Sequence, residues 1–428
     1  MYRTGKNRGT IPVSVLATTD PVLRDSALFG LLMDAPGVVA VRHDIHADHL
    51  RRVVLDATGV IEDVIVPLEH ACLSCAVRED AVPTIARLAR DGRWAQVLLA
   101  LPVSAEPLPA ARALAIAAEP GGALDHTRVA TSFAVVDLDA LQQDLFGDDT
   151  LVERGLELTA DDERSVGEAL AAQIEQADLI VTSSSSTAPA APAGPSSLVE
   201  PVETPSAETP SAETPSAETP SAETPSAETP SAETWSATSS GLLDRLRGAG
   251  TRRVDGLHAL SASHLAAATH SPARAERRAH PLGAVVFSGP GGLPGDRSWT
   301  LELRSALPFH PERVLDHIEE LSAGGLRARG VFHVADRPGL ACLWDGAGGQ
   351  LAFADLGPWS EVCAGTMPHT RIVVVGVADD RGLGLDDERE RLRDAFHAAL
   401  CTPEEVAAGV EWLWREDHLA PWLGARSV

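Results

Sequence analysis

The sequence predicts two folded domains, an α/β domain with a mostly parallel sheet and a C-terminal α+β domain, joined through a disordered repeat. Three observations lead to this prediction. Through residues 1–182 short apolar runs alternate with helical patterns, as in βαβ units. Residues 183–240 are dominated by Ser, Ala, Glu, Thr and Pro. From residue 280 onward, strand and helix patterns follow no strict alternation, which is typical of an α+β domain.

Short runs of Val, Ile, Leu and Ala predict the strands of the first domain. They lie at residues 11–17, 38–41, 96–101, 128–136 and 178–181. Residues 51–55 and 60–66 predict a hairpin around Ala57-Thr58-Gly59. Apolar residues at helical spacing predict helices at 25–33, 77–91, 108–119 and 160–176. The last helix should begin after Thr159 as its N-cap, with acidic residues in its first turn.

The repeat is made of five consecutive Ser-Ala-Glu-Thr-Pro units at residues 206–230. A segment of this composition buries too little apolar surface to offset the entropy lost on ordering. A five-residue unit is also too short for a solenoid repeat. We therefore expect residues 183–240 to form a disordered acidic insertion, whose sequence fits a permissive linker better than a protein-binding tail.

Helical patterns at residues 242–247 and 258–268 predict that residues 241–279 complete the first domain. The second domain, residues 280–428, should contain strands at 284–287, 299–303, 330–334, 341–344, 351–354 and 371–377, and helices at 311–321, 387–400 and 403–414. Residues 289–295 are rich in glycine. Their prolines and their position between two predicted strands indicate a hairpin loop rather than a phosphate-binding loop.

Charge and cysteine content narrow the functional classes. The net charge of -26 and the sequence pI near 4.9 argue against direct binding to nucleic acid or to an anionic membrane. No apolar run approaches the ~18 residues that cross a bilayer, and residues 11–17 end without a signal-peptide cleavage pattern. Five cysteines in 428 residues form no disulfide framework. We therefore expect a cytoplasmic protein.

One segment carries the residue types of a metal site. It runs Cys-Leu-Ser-Cys-Ala-Val-Arg-Glu-Asp over residues 72–80 and follows His70. A C-x-x-C pair places two thiolates on one tight turn, and zinc takes four N, S or O ligands. His70, Cys72 and Cys75 are therefore the candidate zinc ligands, with Glu69 or a distant residue as the fourth. Two alternatives stay open, in which the cysteines either pack at a helix start or form a redox pair.

This segment resembles the C-x-C-C-x-x-R-x-D signature of the CobW-type P-loop GTPases, which handle or insert metals. Ser74 stands where the family's middle cysteine lies. The segment is closer still to a branch that reads C-V-S-C-T-x-R, some members of which act in zinc depletion and recruit a ribosome hibernation factor. Residues 307–313 resemble the R-P-F-H-P-x-R motif of the CobW C-terminal domain, and residues 326–330 followed by Trp344 continue that pattern. The resemblance implies a P-loop NTPase-like α/β domain, as in CobW/HypB/UreG, followed by a CobW C-terminal α+β domain.

The P-loop that the resemblance implies is degenerate. A working P-loop reads G-x-x-x-x-G-K-[ST], because its glycines and lysine cradle the phosphates and its hydroxyl holds magnesium. The only lysine, Lys6, precedes the first predicted strand. The matching residues 18–26 contain no glycine, and Pro21 removes one N–H donor. The residues at this place are Thr18, Asp20, Arg24, Asp25 and Ser26.

Two further nucleotide motifs of the family are missing. Residues 100–103, Ala-Leu-Pro-Val, stand where the family has E-T-[ST]-G, although residues 104–107 still match its L-A-x-P ending. Residues 182–186, Thr-Ser-Ser-Ser-Ser, stand where the guanine-reading N-K-x-D should follow a strand. The sequence therefore predicts a degenerate GTPase that binds neither GTP nor magnesium and does not hydrolyse GTP.

Other polar and aromatic residues fit structural roles. Arg78 and Asp80 lie two residues apart and should make separate contacts, and His310 should cap or pack at the helix beginning with Pro311. Three histidines recur every six residues, a spacing that does not place them on one face of a helix: His258, His264 and His270. Isolated cysteines and tail tryptophans should pack on the chain's own core: Cys342, Cys363, Cys401, Trp412, Trp414 and Trp422.

These observations lead to three functional hypotheses. The first is a zinc-homeostasis adaptor or metallochaperone-like protein that binds a metalloprotein client without hydrolysing GTP. The second is a recruiter of a ribosome hibernation factor under zinc limitation, and the third is an active GTPase with a rebuilt site. The first two rest on family resemblance, and a fold does not by itself define a function. In both, zinc is the expected cofactor and the partners are proteins.

Overall fold

The computed structural model describes residues 10–69, 72–185, 232–286, 293–322, 324–363, 365–378, 385–407 and 416–426. Several sequence predictions lie outside these residues. They concern the Ser-Ala-Glu-Thr-Pro repeat, Lys6, His70, Trp412 and Trp414. Among the described residues, no helix is both long enough and apolar enough to cross a membrane.

The first domain is built on an eight-stranded sheet. Its strands are β1 (Ile11–Ala17), β2 (Val38–Ile45), β3 (His49–Asp56), β4 (Gly59–Pro67), β5 (Gln96–Ala100), β6 (Thr127–Asp137), β7 (Leu179–Ser183) and β8 (Arg252–Asp255). They lie in the order β4-β3-β2-β5-β1-β6-β7-β8. All neighbours from β2 to β8 in this order pair in parallel, while β3 and β4 add an antiparallel edge. The prediction of a mostly parallel sheet with a hairpin leading to the cysteines is confirmed.

Helices cover both faces of this sheet, as expected for parallel strands. They are α1 (Pro21–Asp34), α2 (Leu73–Ala76), α3 (Val82–Asp91), α4 (Pro107–Ala117), α5 (Leu141–Phe146), α6 (Val166–Gln176), α7 (Ala232–Leu246), α8 (Ala262–Ala267) and α9 (Pro272–Ala279). Successive residues of β1 point to opposite faces. Val15 packs with Ile85 of α3 on one side, and Leu16 packs with Leu28 of α1 on the other.

The start of α6 differs from the predicted start at residue 160. The Ser165 hydroxyl accepts the backbone N–H of Glu168 at 3.1 Å, and the Glu168 carboxylate accepts the N–H of Ser165 at 2.7 Å. This reciprocal capping box fixes the helix start at Val166. Thr159 is not an N-cap, so that prediction is wrong.

The closing part of the first domain was only partly predicted. Helix α7 begins at Ala232 instead of residue 242, and β8 and α9 were not predicted. The predicted helix at 258–268 is a short 3-10 turn, Leu257–Ala259, followed by α8 with Ser261 as its N-cap.

The second domain is α+β, as predicted. Its strands β9 (Ser298–Ser305), β10 (Leu326–Phe332), β11 (Leu340–Ala347), β12 (Gln350–Pro358) and β13 (Thr370–Val377) form an antiparallel sheet in the order β12-β11-β10-β13-β9. Its helices are α10 (Pro311–Asp316), α11 (Ile318–Ser322), α12 (Trp359–Val362), α13 (Leu385–Ala399), α14 (Pro403–Ala407) and α15 (Ala420–Leu423). Large aromatic side chains fill its core: Trp299, Phe309, Phe332, Trp344 and Phe396.

Several predictions about this domain can be compared with the structure. His310 is the N-cap of α10, and its Nδ1 accepts the backbone N–H of Glu312 at 3.2 Å, so its predicted capping role is confirmed. The predicted strand at 284–287 is wrong for residues 284–286, which are irregular. Arg371 donates to the carbonyl oxygens of Leu282 and Ala284, so these groups need no sheet partner. Phe287 lies outside the described residues.

Two further predictions concern the isolated cysteines and the tail of the chain. All three isolated cysteines are buried: Cys342, Cys363 and Cys401. In the tail, Leu423 is buried, whereas Trp422 is about half exposed and does not pack fully on the core.

A buried ion triad joins the two domains. Glu175 of α6 accepts from Arg327 at 2.7 Å and from Arg329 at 2.7 Å, both on β10. Burial alone would raise the pKa of Glu175, but the two guanidinium groups outweigh it and hold the pKa below its usual range. Arg327 also pairs with Asp345, so two carboxylates compensate the two guanidiniums and the interface tolerates these charges.

Candidate functional site

The connection from β1 to α1 is where the family's P-loop would lie. It consists of three residues, Thr18, Thr19 and Asp20. The G-x-x-x-x-G-K-[ST] frame is eight residues long and wraps its backbone N–H groups around phosphates. Here the Thr18 hydroxyl donates instead to the carbonyl of Val135, at 2.8 Å. The chain therefore passes from strand to helix without a phosphate-sized loop.

The start of α1 already carries a negative group. One oxygen of the Asp20 carboxylate accepts the backbone N–H groups of Val22 at 2.7 Å and Leu23 at 3.0 Å. Pro21 has no N–H to offer. Free N–H groups at a helix N-terminus are what a bound phosphate uses. Asp20 satisfies these donors within the chain, as an N-cap does.

Arg24 does not take the place of the P-loop lysine. Its side chain is buried, and it donates to the Asp44 carboxylate at 2.7 Å and to the Leu101 carbonyl at 3.3 Å. Asp25 is exposed and pairs with Arg42 at 3.3 Å. The guanidinium of Arg24 therefore points toward Asp44 and Leu101, away from Asp20.

A cleft of about 340 Å³ lies beside Asp20, at the carboxyl ends of β1 and β6. Its charged lining is Asp20, Asp137, Asp144 and Arg154. Burial raises the pKa of Asp137, and repulsion from Asp139, Asp20 and Asp144 adds to the effect. Burial also raises the pKa of Asp144, although Arg154 opposes it from 3.2 Å. Three carboxylates facing one arginine disfavour a polyphosphate in this cleft.

Internal hydrogen bonds lie at or directly beside the places of the other two nucleotide motifs. Ser104, the residue after 100–103, has a positive φ of 71°, and its hydroxyl donates to the Leu156 carbonyl at 2.6 Å. At the end of β7, the Thr182 hydroxyl donates to Asp255 at 3.0 Å. Residue 186 lies outside the described residues.

The cysteine motif lies at the start of another helix, α2. Cys72 is the N-cap of α2, and its sulfur accepts the backbone N–H of Cys75 at 3.4 Å. The Cys75 sulfur in turn accepts from the Arg78 guanidinium at 3.6 Å. Both thiols are half-buried, and Ser74 between them is exposed. The motif therefore brings two sulfur donors onto one turn, as predicted.

The two thiols ionise differently. Burial raises the pKa of Cys72, but hydrogen bonds from the backbone and from the Cys75 thiol outweigh it, so its pKa lies below the ordinary value. The pKa of Cys75 is raised, mainly because its thiol donates to Cys72. The pair therefore favours one thiolate held by one thiol, and a thiolate is the form that ligates a metal.

Two of the three predicted zinc ligands are thus on one turn, and the third, His70, lies outside the described residues. Across the described ranges, no group of three or more His, Cys, Asp or Glu side chains is placed to hold a metal ion. The chemistry of the donors suits zinc, because two thiolates are half of a tetrahedral set. His270, from the evenly spaced histidines, instead bonds to Asp178 at 2.6 Å.

Asp80 anchors the cysteine helix to the sheet. It is buried and contacts His43 Nε2 on β2 at 3.0 Å and Arg52 on β3 at 2.5 Å. Arg78 is exposed, so the prediction that these two motif residues make separate contacts is confirmed. His43 and Arg52 were not singled out in the sequence. Both lie next to apolar runs, residues 38–41 of β2 and 53–55 of β3, but each has other polar residues beside it, so no local pattern distinguished them.

The turn that carries Asp80 is a π-helix, Val77–Ala81, between α2 and α3. Pro83 follows it and lacks the N–H that a regular helix would donate four residues back. The wider turn places Asp80 toward the sheet, and such π turns are frequent at functional sites. The helix predicted at 77–91 therefore begins earlier, at Leu73, and contains an irregularity that was not predicted.

A second feature missed by sequence reasoning lies at the same end of the sheet. His46 and His49 flank the β2–β3 turn, with ring centroids 4.5 Å apart. The turn is fixed against the cysteine helix because Ile45 and Leu50 pack on Ala76. The spacing His-x-x-His between two strand patterns was the available signal.

Two protein-family models match this chain, one in each domain. The model of the CobW/HypB/UreG nucleotide-binding domain matches residues 43–203, and that of the cobalamin synthesis protein cobW C-terminal domain matches residues 298–400. Together they cover more than half of the chain. The first match begins after α1, so it includes the cysteine motif but not the β1–α1 connection.

One similar protein is zinc-regulated GTPase metalloprotein activator 1 of Dictyostelium discoideum, 26% identical over 129 residues. The alignment covers 29% of this chain and 27% of that protein, so it spans about a quarter of the relative's length.

Two similar solved structures are the Zn(II)-bound YjiA GTPase of E. coli and a Zn(II)-bound triple mutant of YjiA. Each is 12% identical with a TM-score of 0.30, covering 92% of this chain and 100% of the other. The two domain matches, in the order in which the two domains occur here, decide the assignment. This chain belongs to the CobW/HypB/UreG family and carries the CobW C-terminal domain.

Proposed function

We propose that this protein is a zinc-binding adaptor that acts on a protein client without binding or hydrolysing GTP. The observation that carries the proposal is the carboxylate of Asp20, which takes the N–H groups of α1 that a phosphate would need. The three-residue connection and the acidic cleft beside it support the same conclusion. GTP and magnesium do not fit the residues at this place.

The zinc part of the proposal rests on Cys72 and Cys75. When bound, zinc would be held by these thiolates and His70, with Glu69 or a partner residue completing four ligands. Asp80 keeps the cysteine helix against the sheet, so the two sulfur atoms stay on one turn. Because Ser74 replaces a third thiolate, the affinity should suit transient binding and transfer. The relative named zinc-regulated GTPase metalloprotein activator 1 supports a metalloprotein as the client.

A second candidate function is favoured by the serine between the cysteines. The sequence Cys-Leu-Ser-Cys over residues 72–75 resembles the branch whose members recruit a ribosome hibernation factor. Pull-down from zinc-starved cells separates the two functions. Metalloenzymes in the eluate support the adaptor, whereas ribosomal proteins or a hibernation factor support the recruiter. With a net charge of -26, either partner would be bound through a protein surface.

Competition with a chromophoric chelator tests zinc binding directly. The wild-type protein should withdraw one zinc ion from the chelator, and a Cys72→Ala/Cys75→Ala variant should withdraw none. Ser74→Ala is the matched control, because it alters an exposed residue of the same turn and leaves both thiols. Equal zinc uptake by the wild type and the double variant would contradict the proposal.

A further inference from the structure

Cys72 and Cys75 differ from the other cysteines in their access to solvent. Both are half-buried, whereas Cys342, Cys363 and Cys401 are 0%, 5% and 2% exposed. Burial also raises the pKa of Cys342 to about 12, which keeps that thiol inert. A small oxidant in solution therefore meets the motif cysteines first.

The turn places the two cysteines at a spacing that a disulfide can span. Residues three apart at a helical turn have Cα atoms about 5 Å apart, within the ~4.4–6.8 Å that a disulfide spans. The Cys72 sulfur already lies over the first turn, 3.4 Å from the backbone nitrogen of Cys75. The Arg78 guanidinium, 3.6 Å from the Cys75 sulfur, adds positive charge beside the pair.

We propose that Cys72 and Cys75 form a reversible disulfide when exposed to a peroxide, and that its formation releases the zinc ion. One thiolate attacks the O–O bond of the peroxide, forming a sulfenic acid and releasing hydroxide. The second thiolate attacks the sulfenic sulfur and expels hydroxide, giving the disulfide. Two electrons pass from the thiols to hydrogen peroxide, which becomes two molecules of water.

Loss of the metal follows from the ligand chemistry. A disulfide sulfur carries no negative charge, and zinc is bound by thiolates. Oxidation would remove both sulfur ligands at once. This consequence rests on the proposed function, whereas disulfide formation does not. Zinc release would then report the oxidation state of the cell, and reduction by a dithiol would restore the site.

The first experiment treats metal-free full-length protein with hydrogen peroxide and counts its free thiols. The protein should lose two of its five thiols. Peptide mass mapping should find one disulfide between Cys72 and Cys75, which dithiothreitol reverses. The Cys72→Ala/Cys75→Ala variant should lose none, and Cys75→Ala should stop at a sulfenic acid that dimedone traps. Retention of all five thiols, or equal loss from the buried cysteines, would overturn the proposal.

The second experiment follows zinc. Protein loaded with one zinc ion is treated with peroxide in the presence of a chromophoric chelator, and zinc release should match the disulfide formed, one ion for each bond. Disulfide formation with the zinc retained would overturn the proposed release. If the wild-type protein takes up no more zinc than the double cysteine variant, the proposed function fails, while the thiol count on metal-free protein still decides the disulfide.

Discussion

Two helix starts in the first domain are capped by different chemistry. At α1 the cap is the Asp20 carboxylate, which accepts two backbone N–H groups at 2.7 and 3.0 Å. At α2 the cap is the Cys72 sulfur, which accepts one N–H at 3.4 Å. A carboxylate is ionised at neutral pH and is a strong cap. A sulfur atom is a weak acceptor that remains available to a metal.

The difference shows that the N-cap residue can block ligand binding at one helix start and leave donor atoms for a ligand at another. Both helices follow the carboxyl end of a strand, where α/β proteins bind ligands. At α1 the internal anion, the short connection and the acidic cleft all disfavour phosphate. At α2 the side chains form a pair of donors, and Asp80 holds them in place. We therefore propose that the ligand-binding chemistry of this domain lies at the cysteine helix.

The substitution Ser74→Cys should have the largest effect on the difference between the two helix starts. Ser74→Cys adds a sulfur donor on the same exposed turn, so zinc affinity should rise on the order of 100-fold. Chelator competition measures the change, with Ser74→Ala as the control that adds no donor. An affinity within threefold of wild type, roughly 0.7 kcal/mol, would mean that residue 74 does not face the metal.

Asp80→Asn should loosen the cysteine helix. The amide keeps the shape of the side chain but loses the charge that Arg52 and His43 contact. A fully buried pair costs ~3–5 kcal/mol to break. Arg52 keeps some solvent contact, so we expect about 2 kcal/mol. Urea unfolding measures it, with Glu79→Gln, an exposed neighbour, as the control. A loss no larger than that of the control would contradict the anchoring role.

Asp20→Ala should remove the cap of α1. Loss of an N-cap typically costs ~1 kcal/mol, because two N–H groups lose their acceptor. The urea midpoint should fall accordingly, while Asp20→Ser, which keeps a capping oxygen, should stay close to wild type. The alanine variant should still bind no GTP analogue, because the connection remains three residues long. Recovery of GTP binding would show that Asp20 alone closes the site.

Asp137→Asn should give the smallest effect and depend on pH. The pKa of Asp137 is raised in the folded protein by burial and then by neighbouring carboxylates. Its ionised form therefore costs stability, and the cost disappears as the pH falls through that raised pKa. The variant should be more stable at pH 7 by roughly 0.5 kcal/mol, after solvent screening. It should lose this advantage near pH 3.5, below the ordinary aspartate pKa.

Urea unfolding at both pH values measures the Asp137 effect, and Asp161→Asn, at an exposed carboxylate, serves as the control. An advantage that grows as the pH falls would have the wrong sign and would contradict the acidic cleft.

The fold was largely predictable because its strands are short apolar runs. The sequence also contained the signal for the cap of α1, since Asp20 precedes Pro21, a pairing typical of a helix start. Strand β8 was missed because Arg252, Arg253 and Asp255 are three of its four residues. Its place is set by pairing with β7, which no local pattern reveals.

Only part of the candidate site could be predicted. The thiols were found because both donors lie within one short motif. The contacts of Asp80 that hold the cysteine helix were not predicted, because His43 and Arg52 are 37 and 28 residues away from Asp80 in sequence. Only the sheet brings them together, and the π turn that aims Asp80 depends on Pro83. Side-chain partners from distant strands need the tertiary structure.

The most direct test is a calorimetric titration of the purified protein with magnesium and a non-hydrolysable GTP analogue. No saturable heat is expected up to about 1 mM ligand, which corresponds to a binding free energy weaker than roughly -4 kcal/mol. Saturable binding with a Kd below about 10 µM would contradict the proposal that the protein does not bind GTP. Such binding would require Arg24 and the β1–α1 connection to rearrange into a phosphate site.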